Sequence, residues 1–306
     1  MKIAIIGTGG VGGYFGGKMA KAGFDVSFLA RGEHYQAIKA NGLTIKSTVG
    51  DFHIHPVKVS DRIEEIGTSD LIIIAVKAWQ TREISAELKS IVNENSTILP
   101  LQNGVLAFEE LKEHFPEKNI INGLCRIFSK IESPGVISHF GITPTIVFSE
   151  NDNSKTPRIH RIKEVFDKSG MDSIISDDIS SDVWKKFIPI CVSGLLAVTK
   201  TTYGELRELK ETRQMMIELL KEICSLSQKI GIQIEPGYLE KSISFIDSFP
   251  YDSTSSLTRD VLEGKPSEIE YQNGTVVRLG QKYGIDTPIN RFVYNCILPM
   301  EMKARG

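Results

Sequence analysis

Cysteine is scarce in this sequence: four among 306 residues, at 125, 191, 224 and 296, each in an apolar setting and none in a Cys-x-x-Cys pair. That scatter excludes a disulfide framework and a cysteine zinc site, and points to reduced thiols in a cytoplasmic protein. The six histidines form no His-Glu-x-x-His pattern and pair with no cysteine, so no metal is expected. Net charge is nearly absent, with 36 Lys plus Arg against 38 Asp plus Glu. Such a balance argues against nucleic acid or an anionic membrane as principal partner. Long apolar runs are missing too. The longest weakly polar stretch, Phe187–Val198, carries Pro189, Ser193 and Gly194 and is too short to span a bilayer. The N-terminus reads as one lysine and then a strand, not as a signal peptide. There is no internal repeat and no low-complexity tract. The length suggests two ordinary domains, each able to bury its own core.

What is present is concentrated in the first thirty-one residues. Lys2–Ile6 is a short β-branched run that reads as a buried parallel strand. It leads into Gly7-Thr8-Gly9-Gly10-Val11-Gly12, a helix-compatible segment to about Ala22, a stop at Gly23, and a second strand over Val26–Ala30. Strand, glycine turn, helix and strand in that order make the first unit of a dinucleotide-binding sheet. Gly7 suits the tight turn, Gly9 the close approach of a pyrophosphate and Gly12 the packing of helix on strand. The helix N-terminus offers N–H groups to the phosphates. An enzyme that selects NAD usually ends this second strand with an acid; here the end is Ala30-Arg31-Gly32. An arginine there suits the 2′-phosphate of NADP(H), although a solvated surface arginine is the plainer alternative.

Farther along, Glu33–Ala40 reads as a short helix ended by Asn41-Gly42. Leu43–Val49 and Phe52–Val59 read as a hairpin-like pair about Gly50-Asp51. Asp70–Val76 is the clearest buried strand and stops at Lys77; Thr81–Val92 has helical spacing; Ser96–Leu99 is a strand ending in Pro100-Leu101-Gln102-Asn103-Gly104. Lys77 and Asn103 therefore follow successive strands, at the edge where doubly wound sheets bind ligands. A lysine reaching solvent and a plain Asn-Gly turn are the competing readings. Ile120–Arg126, Gly135–Phe140 and Thr145–Phe148 are expected to extend the sheet with antiparallel strands. Lys155–Ser169 is an amphipathic helix, Met171–Ser176 a closing strand, and Ser176–Asp182 a domain boundary. Beyond it, Asp182–Val198, Glu205–Ile230, Pro236–Ile246, Ser267–Tyr283 and Pro288–Met302 all carry helical spacing.

Two residues of the helical part could carry chemistry. Lys186 stands two residues after Trp184, with Lys185 beside it, and one of the two lysines must face solvent. Glu268 lies between Ser267 and Glu270, which have capping-box spacing, so it also reads as an ordinary first-turn acid. Hydride addition to a ketone builds negative charge on oxygen; an ammonium can stabilise and protonate it, and a nearby carboxylate can orient that ammonium.

The ordered set Gly7-x-Gly9-x-x-Gly12, Ala30-Arg31-Gly32, Val76-Lys77-Ala78, Gln102-Asn103-Gly104, Trp184-x-Lys186, Tyr203-Gly204-Glu205-Leu206, Ser255-Ser256-Leu257, Asp260 and Ser267-Glu268-Ile269-Glu270 resembles the ketopantoate reductase (2-dehydropantoate 2-reductase) family over essentially the whole chain. The resemblance implies pantoate formation for pantothenate and coenzyme A. By position it implies Arg31 on the 2′-phosphate, and Lys77 and Asn103 near the nicotinamide end. It further implies Lys186 as general acid, Glu268 as its carboxylate partner beside the cofactor, and Ser256 on the substrate carboxylate. The chain departs from the family pattern four and eight residues after Lys186, where Ile190 and Gly194 replace asparagines and Ser193 is the nearby hydroxyl. That departure bears on which 2-oxo acid is used; the alternative is that Pro189 bends this helix, turns Ile190 into the core and lets Ser193 face the substrate hydroxyl. The expectation is an α/β protein: a Rossmann-type NADP-binding domain over 1–177, then an all-helical substrate and catalytic domain over 178–306. Its partner would be a small 2-oxo acid, with a homodimer left open.

Overall fold

The computed structural model describes all 306 residues, which form two compact units. The first comprises Met1–Gln102 and Leu106–Ile179, the second Asn103–Val105 and Ser180–Gly306.

The first unit begins β1 (Lys2–Ile6), α1 (Gly10–Lys21), β2 (Asp25–Leu29), α2 (Gly32–Asn41), β3 (Leu43–Ser47), β4 (Phe52–Ile54) and β5 (Lys58–Ser60). It continues β6 (Leu71–Ile74), α3 (Thr81–Leu88), β7 (Thr97–Pro100), α4 (Ala107–Lys112), β8 (Asn122–Ser133), β9 (Val136–Ser149), α5 (Pro157–Lys168) and β10 (Asp172–Ile175). Five strands make a wholly parallel sheet in the order β5-β2-β1-β6-β7. This is the doubly wound arrangement of dinucleotide-binding folds, the expected class. Strand alternation shows on both faces. Ile3, Ile5, Leu71 and Ile73 enter one core, while Ala4, Ile6, Ile72 and Ile74 enter another. Helix α1 packs between this sheet and a second one because it presents glycine. A Cβ on Gly16 would lie 2.6 Å from Phe28 of β2, and one on Gly13 would lie 2.7 Å from Ile137 of β9.

The second sheet corrects two expectations. The strand expected over 52–59 is two strands. β4 pairs antiparallel with β3, whereas β5 joins the parallel sheet beside β2. Pro56, between them, has no N–H to continue a ladder. The pieces expected to extend the first sheet build the second instead, in the order β10-β9-β3-β4 with β8 along the other side of β9. Residues 136–149 are one 14-residue strand. Its two edges are both used, by β8 on one side and by β3 and β10 on the other.

The second unit is helical: α6 (Ile179–Ile190, starting at the last residue of the first unit), α7 (Val192–Thr199), α8 (Tyr203–Glu208), α9 (Lys210–Ile230), α10 (Tyr238–Asp247), α11 (Ser256–Leu262), α12 (Asn273–Tyr283) and α13 (Pro288–Arg305). Its core gathers Leu195 and Leu196 of α7, Leu219 and Ile223 of α9, and Val293 and Ile297 of α13. Three helices differ from expectation. The one read over 205–230 is two, α8 and α9, because Leu209 (φ −81°, ψ 126°) is extended between them. The one read over 182–198 breaks at Cys191. The one read from Ser267 starts only at Asn273, after a 3-10 turn over Ile269–Tyr271, because Gln272 (φ −110°, ψ −103°) leaves the helical region. No helix is long and apolar enough to cross a membrane.

Candidate active site

In the first unit, Ile6 aligns with Leu29 and with Ile74. Gly7, Ala30–Arg31 and Ala75–Lys77 therefore all leave the sheet at its carboxyl edge, where such sheets bind ligands. Gly7 turns the chain at φ +100°, and any Cβ there would meet Val76 at 2.7–2.8 Å. Gly12 brings α1 so close that a Cβ would lie 2.1 Å from the Gly7 carbonyl. A Cβ on Gly9, by contrast, would touch nothing within 4 Å. Gly9 is also the N-cap of α1, Gly10 and Val11 open that helix, no side chain caps it, and its first turn holds no acid. Open space before an uncapped helix N-terminus fits the pyrophosphate of a dinucleotide.

The residues around this loop hold it rather than fill it. The N–H of Thr8 and its hydroxyl both donate to the carbonyl of Leu29, at 3.0 and 2.7 Å. His34 braces the loop from outside, and nothing in the sequence spacing marks it. Its Nδ1 accepts from Gly135 N at 3.1 Å, so Nε2 carries the proton and donates to the carbonyl of Thr8 at 2.8 Å. Burial pushes its pKa below the ordinary value, the bond to Thr8 opposing this only in part. Arg31 is exposed, two residues beyond the end of β2, with no ion pair or hydrogen bond from its side chain. Lys77 is half-buried. Its backbone is fixed by Gln80 (N–H to Oε1, 3.2 Å), and Gln102 Nε2 donates to the carbonyls of Val76 and Lys77 at 3.2 and 3.3 Å.

In the second unit, α6 separates the two lysines. Lys185 Nζ is 2.7 Å from Glu235 Oε2, an ion pair that pulls the Glu235 carboxyl down to about 2. Pro189 cannot donate to the carbonyl of Lys185, and the Tyr238 hydroxyl does so instead at 2.5 Å. Lys186 is half-buried, as is Ile190 one turn on, so the two share a face. Beyond Ile190 the break at Cys191 changes the geometry. Gly194 is buried, and a Cβ there would fall 2.3 Å from Asn273 Oδ1 and 2.7 Å from Val293. The Asn273 amide is itself pinned, donating to the Cys191 carbonyl at 3.1 Å and to Asn290 Oδ1 at 2.9 Å. Ser193 is buried against Tyr203, and its carbonyl accepts from Thr258 Oγ1 at 2.9 Å. Burial pushes the Tyr203 phenol up to about 12, with the Ser193 side chain partly offsetting it.

Asn103 and Glu268, 165 residues apart, meet in this unit: Asn103 Nδ2 donates to Glu268 Oε2 at 3.0 Å. The 103–105 loop is held against the 268–271 turn, with Gly104 so close that a Cβ would lie 3.0 Å from the Tyr271 carbonyl. Glu268 is 4% exposed. The capping box expected of Ser267 and Glu270 is absent. Ser267 Oγ donates to Glu301 Oε2 at 2.6 Å, and Glu270 pairs with Arg278 at 2.5 Å and accepts from Tyr294. Ser256 is the exposed first residue of α11; its neighbour Ser255 caps the helix, accepting from Thr258 N at 3.0 Å.

Comparison with known proteins follows the same division. Residues 3–153 match the family model described as Ketopantoate reductase PanE/ApbA, and residues 178–301 match that of its C-terminal part. Among curated proteins, the chain is 31% identical to the "Uncharacterized oxidoreductase YkpB" of Bacillus subtilis (strain 168), across 96% of this chain and 97% of that one. Among solved structures it resembles a PanE/ApbA family ketopantoate reductase from Ralstonia eutropha JMP134, with 28% identity, all of both chains covered and a TM-score of 0.92. It also resembles a D-mandelate dehydrogenase solved with NADH and anilino(oxo)acetate, with 24% identity, 100% and 99% of the two chains covered and a TM-score of 0.90. At that identity the likeness is one of fold.

Proposed function

We propose that this chain, which belongs to the ketopantoate reductase family, reduces the keto group of a 2-oxo acid with NADPH, converting 2-dehydropantoate to pantoate. Within the molecule, the hydrogen bond between Asn103 and Glu268 carries the reading, because it joins two of the residues expected to work together. NADPH supplies the hydride that attacks the carbonyl carbon. The glycine turn Gly7–Gly12 receives its pyrophosphate, and Arg31, having no partner of its own, holds the 2′-phosphate. As the carbonyl oxygen gains charge, the Lys186 ammonium stabilises it and donates the proton. The Glu268 carboxylate orients that ammonium and favours its charged form. Asn103 fixes how the carboxylate is turned, Lys77 supports the nicotinamide end, and the exposed Ser256 hydroxyl bonds the substrate carboxylate.

A less polar branched 2-oxo acid is the second reading, favoured by Ile190, an apolar residue on the same face as Lys186. A site that hydrogen-bonds a substrate hydroxyl rejects the analogue without it by about 10⁴-fold, whereas an apolar site separates the two by only about 10²-fold. The test is kcat/KM for 2-dehydropantoate and for 2-oxoisovalerate, which lacks the hydroxymethyl group. A preference for 2-dehydropantoate above about a thousand-fold rejects the second reading. Comparable or reversed values reject the first. A protein that binds NADPH and turns over neither acid, nor any other 2-oxo acid offered, would be a sensor and not a reductase.

A further inference from the structure

Ser267, the residue before Glu268, is fully buried, and the last turns of α13 take every polar group it has. Its N–H donates to Glu301 Oε2 at 2.9 Å and Oε1 at 3.1 Å, and its Oγ donates to Oε2 at 2.6 Å. Its carbonyl accepts from Arg305 Nη2 at 3.3 Å, and Arg305 Nε also donates to Glu301 Oε1 at 2.7 Å. Glu301 is only 3% exposed. A carboxylate buried so deeply loses solvation that its ion pair only offsets, and a well-packed apolar residue would often serve stability as well. What this carboxylate does that an apolar residue could not is fix Ser267. On the other side, the carbonyl of Glu268 accepts from Tyr271 N and Gln272 N, each at 3.0 Å, and its side chain accepts from Asn103. Glu268 itself stands outside any α-helix at φ −95°, ψ 23°. No α-helical ladder holds it; the flanking contacts do.

We propose that Glu301, acting with Arg305, is a positioning residue for the Glu268 carboxylate, a role that rests on the reading of Glu268 as partner to the proton-donating lysine. The clamp on Ser267 sets where the Glu268 backbone lies, and Asn103 sets how its carboxylate turns. A shift of about 1 Å in such a group can slow catalysis by about a hundred-fold without altering substrate contacts.

The test uses the full-length protein with NADPH and 2-dehydropantoate. Glu301→Gln keeps an acceptor for Ser267 but cannot also serve Arg305. It should lower kcat by about ten- to a hundred-fold and leave both KM values within about two-fold. Glu268→Gln should be slower still, and adding Glu301→Gln to it should cost nothing further, because residues acting as a unit are not additive. Ser267→Ala removes the hydroxyl, which donates to Glu301 and accepts from Ile269 N at 3.3 Å, but keeps the backbone bonds to Glu301 and Arg305. It keeps the test open if Glu301→Gln folds poorly. Its smaller loss of kcat should likewise vanish in the Glu268→Gln background. Unchanged kcat in both Glu301→Gln and Ser267→Ala would overturn the proposal, and so would losses that multiply in the double variants; in either case a slowed Glu268→Gln leaves the reading of Glu268 standing. Unchanged kcat in Glu268→Gln would overturn that reading and the positioning role together.

Discussion

Replacing Arg31 with alanine isolates the cofactor's 2′-phosphate. The guanidinium is exposed and makes no intramolecular ion pair or hydrogen bond, so its loss should change folding stability by no more than about 0.5 kcal/mol. α2 has Arg31 at its N-cap but takes no side-chain hydrogen bond from it, so no cap is lost. The position, two residues beyond β2 at the carboxyl edge of the parallel sheet, is where the adenosine ribose of a bound dinucleotide lies in such folds. One charge-assisted hydrogen bond is worth about 1.5–3 kcal/mol, which is about 10- to 150-fold in affinity. NADH has no phosphate there. Fluorescence titration of wild type and Arg31→Ala with each cofactor should show NADPH weakened by that factor and NADH changed by less than about two-fold. Because the contact is exposed, raising ionic strength should weaken wild-type binding of NADPH more than that of NADH. Equal wild-type affinity for the two cofactors, or equal loss of both in the variant, would refute the reasoning.

Lys186→Ala should lower kcat by about 10²–10⁴ with NADPH binding intact. Lys185→Ala should leave kcat nearly unchanged and cost at most about 1 kcal/mol in urea unfolding, since its partly exposed pair with Glu235 is screened by solvent; the opposite ranking would reverse the assignment. Gly194→Ala sets a helix-propensity gain of about 1 kcal/mol against a Cβ placed 2.3 Å from the pinned Asn273 amide. Overpacking of this kind costs about 1–3 kcal/mol, so melting should come at a lower temperature, and a higher one would mean that α7 shifts freely. His34 should make the fold sensitive to acid. Its folded pKa lies below the ordinary 6.5, so as pH falls through 6.5 the unfolded chain takes up the proton first and stability drops. In wild type minus His34→Gln, urea stability should fall between pH 7.5 and pH 5, and a flat difference would exclude that role.

The strand–glycine turn–helix–strand unit was legible because each step is local: apolar alternation, a glycine at each special position, and the next strand on schedule. The second sheet was not. Whether 58–60 pairs with β4 or with β2 is decided by neighbours far along the chain, and β9 looked like separate strands because Gly141 and Pro144 interrupt its pattern without ending it. In the helical unit, spacing located α9 and α13, but ran α8 and α9 together across the extended Leu209. A bend at Pro189 was readable as an alternative, but the full break at Cys191 was not, because the Tyr238 hydroxyl that takes over the orphaned Lys185 carbonyl lies 53 residues away. Ser267 and Glu270 have capping-box spacing, and they fail to form one because Glu301 takes the serine. Asn103 and Glu268 were each readable as candidates, but their meeting was not, since only folding brings the loop after β7 to the turn before α12.

Hydride transfer itself can be followed directly. The protein is incubated with 2-dehydropantoate and NADPH deuterated at the transferable C4 position, and the isolated product is read by NMR. Pantoate carrying one deuterium at C2, formed at a rate in the ordinary enzymatic range of about 1–10³ s⁻¹, is the predicted result. NADPH that binds but is not consumed with this or any other 2-oxo acid would contradict the account, as would a product with no deuterium at C2.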